Sequence, residues 1–320
     1  MIKRMMILAG LAALGAPLHA GTLPAEEAVE APGPQGPLVG TLLRTAESQK
    51  AVALIIPGSG PTDRNGNNPL GLQADSYRLL AKGLAGEGIT TVRIDKRGMF
   101  ASAGAVADAN AVTVPDYIAD TAAWVKVIRA QTGAECVWLI GHSEGGLVAL
   151  AAAQEVEGLC GLVLVAAAGR PMGEVMREQL RANPANASLL PAAEAAIDAL
   201  GAGQRVEPSA LPPALMPLFH PAVQGFLVSA FALDPAKLAA QVRLPLLIVQ
   251  GGKDIQVRMV DAERLKAANA DAVLTVLRDA THTLKDVATD SLPDNLATYR
   301  NPNLPLSEGL VSGIAAFVRE

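Results

Sequence analysis

The chain has 320 residues, half of them hydrophobic but only 3% aromatic, and carries a formal charge of −5. Length and apolar content suffice for one large α/β domain with an insertion, its core packed mainly by alanine, leucine and valine. The acidic balance excludes a nucleic-acid surface, and four histidines and two cysteines in no ligand spacing leave no metal site to predict.

Lys3 and Arg4 precede an apolar run, Met5 to Ala16, that ends in Pro17-Leu18-His19-Ala20. This is the layout of a secretory signal, so residues 1–20 are expected to be removed after Ala20 and the mature chain exported, to the periplasm or the medium. The run is too short to span a bilayer comfortably, and no later segment is uninterrupted enough, so no stable membrane insertion is expected. Residues 21–36, rich in Pro, Gly, Ala and Glu, read as a linker.

From residue 37 onward strands and helices alternate. Strands are predicted at Leu38 to Arg44, Ala51 to Ile56, Thr90 to Ile94, Val137 to Ile140, Leu162 to Val165, Leu246 to Gln250 and Val273 to Leu277. Helices are predicted at Ala74 to Glu87, Pro115 to Gln131 and Leu147 to Gln154. Helix-length crossovers between strands predict an α/β fold with a mostly parallel central sheet flanked by helices, its reactive groups at the carboxyl ends of the strands. Cys136 and Cys160 each stand just before a strand, and read equally well as a disulfide or as two buried thiols.

The rhythm breaks over residues 170–243, where helical patches and repeated prolines occur without a strand. This segment is predicted to be a helical cap on a core formed by 37–169 and 244–320. Its apolar residues Met172, Met176, Leu215, Phe219 and Phe226 form either a wall over a substrate site or the packing that holds the cap down.

Gly141-His142-Ser143-Glu144-Gly145-Gly146 lies where a predicted strand runs into a helix. Such a corner holds a serine at strained angles with its hydroxyl exposed, which makes Ser143 the candidate nucleophile. A serine hydroxyl needs a base, and the base an orienting acid. His19 leaves with the signal, the ring of His142 should point away from the neighbouring hydroxyl, and His220 lies among prolines in the cap. His282 remains as base, in the loop after the last strong strand. Asp254, just past Leu246 to Gln250, is the acid best placed, ahead of Asp261, Asp271 and Asp279. The oxyanion donors are predicted to be the backbone N–H of Glu144 and that of Ser59 in the small-residue loop Pro57-Gly58-Ser59-Gly60-Pro61, with Gly60 the next choice. The Glu144 carboxylate reads as a favourable charge at a helix start. Asp63, Arg64, Asp95 and Arg97 read as an ion-pair network holding the oxyanion loop.

GHSEGG at 141–146, PGSGPTDRNGNNP at 57–69, IDKRG at 94–98, GGKD at 251–254 and THTLKD at 281–286 together resemble the α/β-hydrolase superfamily, in particular bacterial serine esterases of the lysophospholipase-like and serine-aminopeptidase-like type. The resemblance spans the mature chain and implies the α/β-hydrolase fold with a cap, and a Ser143, Asp254, His282 triad. It also implies a small-molecule ester of short to medium acyl chain as substrate, water as co-substrate, and no cofactor. Two positions depart from the pattern: Pro57 stands where many relatives carry histidine, and Thr281 where asparagine often precedes the histidine. A peptidase, an amidase or an acyltransferase would use the same triad, and a non-catalytic binding protein the same fold.

Overall fold

Burial on both faces favours long apolar runs, which Val52 to Ile56, Val137 to Ile140, Leu162 to Val165 and Leu246 to Val249 supply, while Thr90 to Ile94 carries the buried Arg93. The computed structural model describes residues 25–45 and 51–319; the predicted signal peptide lies outside them. Among the described residues eight strands form one sheet: β1 (Glu26–Pro32), β2 (Pro37–Leu43), β3 (Val52–Ile56), β4 (Thr90–Ile94), β5 (Val137–His142), β6 (Leu159–Val165), β7 (Leu246–Gly251) and β8 (Val273–Leu277). Their order is β1-β2-β4-β3-β5-β6-β7-β8, with β2 antiparallel to both its neighbours and β4 through β8 parallel. Every residue of β3, β4 and β5 is buried.

Helices cover both faces. They are α1 (Ser76–Gly86), α2 (Val114–Thr132), α3 (Glu144–Ala152), α4 (Met172–Ala182), α5 (Leu190–Gly201), α6 (Met216–Phe219), α7 (Gln224–Phe231), α8 (Pro235–Gln241), α9 (Met259–Ala268), α10 (Leu292–Ala297) and α11 (Leu310–Arg319). Tyr117 and Trp124 of α2, Val148 of α3 and Leu265 of α9 pack on one face of the sheet. Leu80 and Leu84 of α1 and Ile314 and Val318 of α11 pack on the other. The sheet is therefore the middle of three layers, as the alternating pattern predicts.

The segment read as a linker is corrected by β1. Val29 and Ala31 point inward at 3% and 2% exposure, while the alternating glutamates face solvent. This is how an edge strand looks: one apolar face, charge on the other, and Pro32 at its end, where no ladder bond is lost.

The insertion between β6 and β7 is helical, comprising α4 to α8 and several single 3₁₀ turns. It has its own apolar core, built around Ala193, Ile197, Leu200, Leu211, Leu215 and Phe219, with Leu227 and Phe231 beside them. The apolar stretch Pro213–Phe231 is long enough to cross a membrane by length and composition alone. It is broken, however, into short helices and turns at Pro217 and Pro221 that pack into this cap. Cys136 and Cys160 form a disulfide with Cα atoms 5.1 Å apart. The register between β5 and β6 shifts at Val137/Trp138, so Cys160 is the extra residue between Leu159 and Gly161. The bulge places its sulfur beside that of Cys136.

Candidate active site

Ser143 sits between β5 and α3 with φ 54° and ψ −120°, a left-handed backbone that a non-glycine residue holds only when its surroundings enforce it. The enforcement comes from close packing. A Cβ on Gly145 would lie 2.3 Å from the Ile56 carbonyl oxygen, and one on Gly141 would lie 2.3 Å from that of Gly145. Only glycines let the first turn of α3 press against β3 and the end of β5, and so hold the serine at the tip of the corner.

Asp254 and His282 come together from loops after β7 and β8. Gly251 and Gly252 make this possible, because a Cβ on either would strike the carbonyls of Ala280 or Arg278 within 2.4 Å. Asp254 Oδ2 lies 2.8 Å from His282 Nδ1. Its other oxygen accepts the backbone N–H of Gln256 and of Val257, at 2.8 and 3.0 Å. The carboxylate side chain is fully buried, and as an acceptor it fixes the proton of His282 on Nδ1, leaving the lone pair of Nε2 free. The histidine loop is itself braced. Thr281 binds the Lys285 carbonyl through both N–H and hydroxyl, and the buried Lys285 ammonium donates to the carbonyls of Asn301 and Leu304.

The rival acids lie elsewhere. Asp261 is buried and binds the N–H groups of Gly169 and Arg170 and the Arg170 guanidinium, tying the entrance of the cap to α9. Asp271 and Asp279 are exposed. His220 caps the 3₁₀ turn at Ala222. His142, as expected, turns its ring away from the hydroxyl. Its Nε2 donates to the His282 carbonyl at 2.9 Å, and its Nδ1 accepts from Tyr77 Oη at 2.8 Å, while Tyr77 accepts the Gly58 N–H at 3.0 Å. Burial, with a smaller effect from His282, lowers the His142 pKa to about 3. Burial likewise pushes the Tyr77 phenol far above its ordinary range. Both rings are thus neutral, and the chain from Gly58 through Tyr77 and His142 to His282 joins the oxyanion loop to the histidine loop. Neither the sequence spacing nor the motifs pointed to Tyr77.

The oxyanion candidates Ser59 and Glu144 line the same cavity as Ser143. No hydrogen bond to another described residue takes up the N–H of Ser59 or of Glu144. The Glu144 carboxylate stands at the start of α3, as expected, and is also buried in an ion pair with Lys96, Nζ to Oε1 3.2 Å. Within the expected loop network, Arg64 meets Asp95 at 3.6 Å and Asp63 accepts the N–H groups of Asn65 and Asn67. Arg97 turns the other way, to Asp116 and Asp120 of α2.

Two cavities open at Ser143. The larger, about 310 Å³, lies under the cap and is mainly apolar; Met172, Met176 and Phe226 line it, as do Pro217, Leu218 and Leu227. Leu215 and Phe219, expected in this wall, are 1% and 0% exposed in the core of the cap and do not reach the cavity. The short helix α6 turns Pro217 and Leu218 to the cavity and those two inward. The smaller cavity, about 150 Å³, contains His282, Tyr77 and Ser143 with Asn68, Gln256 and Tyr299. A wider groove of about 960 Å³ runs between α4 and the loop after β7, but Ser143 does not line it, and its arginines 170, 177, 181 and 258 are all ion-paired.

A mostly parallel sheet with a strained serine after its fifth strand, an aspartate after β7, a histidine after β8 and a cap between β6 and β7 defines the α/β-hydrolase fold. Within it, residues 70–211 match the family described as Serine aminopeptidase, S33, a stretch that holds Ser143 but ends before Asp254 and His282. Esterase EstD of Thermotoga maritima is 28% identical over 214 residues, 66% of this chain and 48% of that esterase. The chain thus spans about half the length of this curated relative. The Pyrococcus furiosus esterase Pf2001 superposes with a TM-score of 0.56 at 18% identity, covering 92% of this chain and 90% of that one. Est1E from Butyrivibrio proteoclasticus does so at 0.57 and 15%, covering 92% and 99%.

Proposed function

We propose that the protein is an exported serine esterase that works through an acyl-enzyme. Ser143 Oγ attacks the ester carbonyl as His282 Nε2 takes its proton, and Asp254 steadies the imidazolium through Nδ1. The amides of Ser59 and Glu144 receive the oxyanion. His282 then protonates the departing alkoxide, and water repeats the sequence to release the acid. Among the described residues no hydrogen bond engages the Ser143 hydroxyl, which shares a cavity with His282; the bond to His282 Nε2 forms when substrate fills the site.

The observation that carries the ester reading is the chemistry of the larger cavity. Its charged lining groups are Glu144 and Arg170, the first paired with Lys96, the second with Asp261 and Glu178. A peptidase that holds a free amino terminus needs an uncompensated carboxylate, yet Glu174, Glu178 and Glu194 of the cap are paired with arginines. An apolar acyl chain of short to medium length suits this space. Because His282 lines only the smaller cavity, the alcohol, which it must protonate, leaves on that side. The Cys136–Cys160 bridge supports export, since disulfides persist in oxidising compartments.

A fluorophosphonate probe should label Ser143 in the wild type and fail on Ser143→Ala. A panel of aryl esters of increasing acyl length, run beside aminoacyl amides, tests the substrate class. Faster cleavage of amides than of every ester would end the esterase reading.

A further inference from the structure

The two amides that serve as oxyanion donors in that reading are held by one buried ion pair. Lys96, just beyond β4, and Glu144, the first residue of α3, have side chains 4% and 5% exposed. Lys96 Nζ donates to the Gly58 carbonyl at 2.7 Å and to Glu144 Oε1 at 3.2 Å. The Gly58 carbonyl belongs to the same peptide unit as the Ser59 N–H, and that unit is trans. In a trans peptide the C=O and N–H point in opposite directions, so a cation fixed on the oxygen aims the N–H away from itself, toward the cavities that Ser59 lines. The same cation draws electron density toward the carbonyl and makes the N–H a stronger donor. On the far side of the loop Tyr77 accepts the Gly58 N–H and so anchors the preceding peptide unit.

Glu144 supplies an oxyanion donor from its backbone while carrying a carboxylate. An uncompensated negative charge in a buried site would oppose the oxyanion that forms there. Lys96 cancels it.

Resting on the serine-esterase reading, we propose that Lys96 is a positioning residue of the oxyanion hole: it aims and polarises the Ser59 amide and neutralises the Glu144 carboxylate, acting on the transition state rather than on substrate binding.

The test compares wild type, Lys96→Met, Lys96→Gln and the double variant Lys96→Met/Glu144→Gln on p-nitrophenyl butyrate and its thionoester, whose sulfur accepts hydrogen bonds poorly. Removing one oxyanion donor outright costs about a hundred- to a thousandfold in kcat, so losing its polarisation while leaving a bare carboxylate should cost roughly a hundredfold in Lys96→Met, with KM within about threefold. The double variant, free of the stranded charge, should recover to roughly tenfold below wild type, and Lys96→Gln, which keeps a neutral donor at Gly58, should fall between. In each the preference for ester over thionoester should shrink with kcat. Should Lys96→Met not fold, the other two carry the comparison. A folded double variant with wild-type kcat overturns the inference, as does a loss that appears only in KM or leaves the ester-to-thionoester ratio unchanged. Ser143→Ala separates the two levels. Activity that survives it sinks the esterase reading and the inference together, whereas Ser143-dependent activity with wild-type kcat in the double variant sinks the inference alone.

Discussion

Acid should destabilise this protein through His142 well before the carboxylates titrate. Burial lowers the His142 pKa from 6.5 to about 3, while in the unfolded chain the imidazole regains its ordinary value. Between those two values the unfolded state binds a proton that the folded state refuses. Stability is therefore full above about pH 6.5 and falls as pH drops toward 3, by up to one proton's worth per unit. At pH 4.5 the loss amounts to about 3 kcal/mol, a large share of a typical folding free energy. The groups facing the ring do not reverse the sign. Tyr77 stays a neutral phenol across the range, and His282, its ring 4.7 Å away, lowers the His142 pKa further. Asp254 favours protonation, but it is the smallest contribution and is already engaged with His282.

His142→Gln removes the titration and keeps a donor that can reach the His282 carbonyl. Urea unfolding followed by circular dichroism at pH 7.5 and pH 4.5, disulfide intact, gives the comparison. Wild type should lose about 3 kcal/mol more than His142→Gln between the two pH values, even though the variant starts lower at pH 7.5 for want of a fully matched network. Carboxylates titrate in both proteins and cancel. Equal losses would refute the argument, since they would mean that His142 takes up its proton without cost in the folded state.

Asp254→Asn should fold with near-native stability yet lose about ten-thousandfold in kcat on a short aryl ester, because an amide at that place holds His282 in the wrong tautomer; steady-state kinetics beside a melting curve decides it. Met176→Trp should fill the cavity under the cap and cut kcat/KM for octanoyl esters by at least about tenfold while sparing acetyl esters, a split read from one acyl-length series. Cys136→Ser with Cys160→Ser removes a link between residues 24 apart and should lower unfolding free energy by about 3 kcal/mol, measured in urea, with little change in kcat below the unfolding transition.

What could be read from the chain follows from how each feature is encoded. The inner strands were legible because strands buried on both faces carry long apolar runs, here Val52 to Ile56, Val137 to Ile140 and Leu246 to Val249. The meeting of Asp254 and His282 was legible because loops after parallel strands gather at the carboxyl ends of those strands. β1 was not, since only Val29 and Ala31 face the core and Glu26, Glu27 and Glu30 around them read as solvated linker. Nor could the four residues of α6 show which side faces the cavity, because the period of a helix needs more than one turn to appear. The least legible part is the support beneath the reacting groups. Lys96 and Glu144 are 48 residues apart, Tyr77 and His142 are 65 apart, and each pair meets only because β4, α1 and α3 converge at one end of the sheet. A motif shows which atoms do chemistry, since those atoms sit on the tightly constrained corner. Their supports need only be polar, buried and in reach, a requirement that many residue types meet and that only the packed fold assigns to Lys96 and Tyr77.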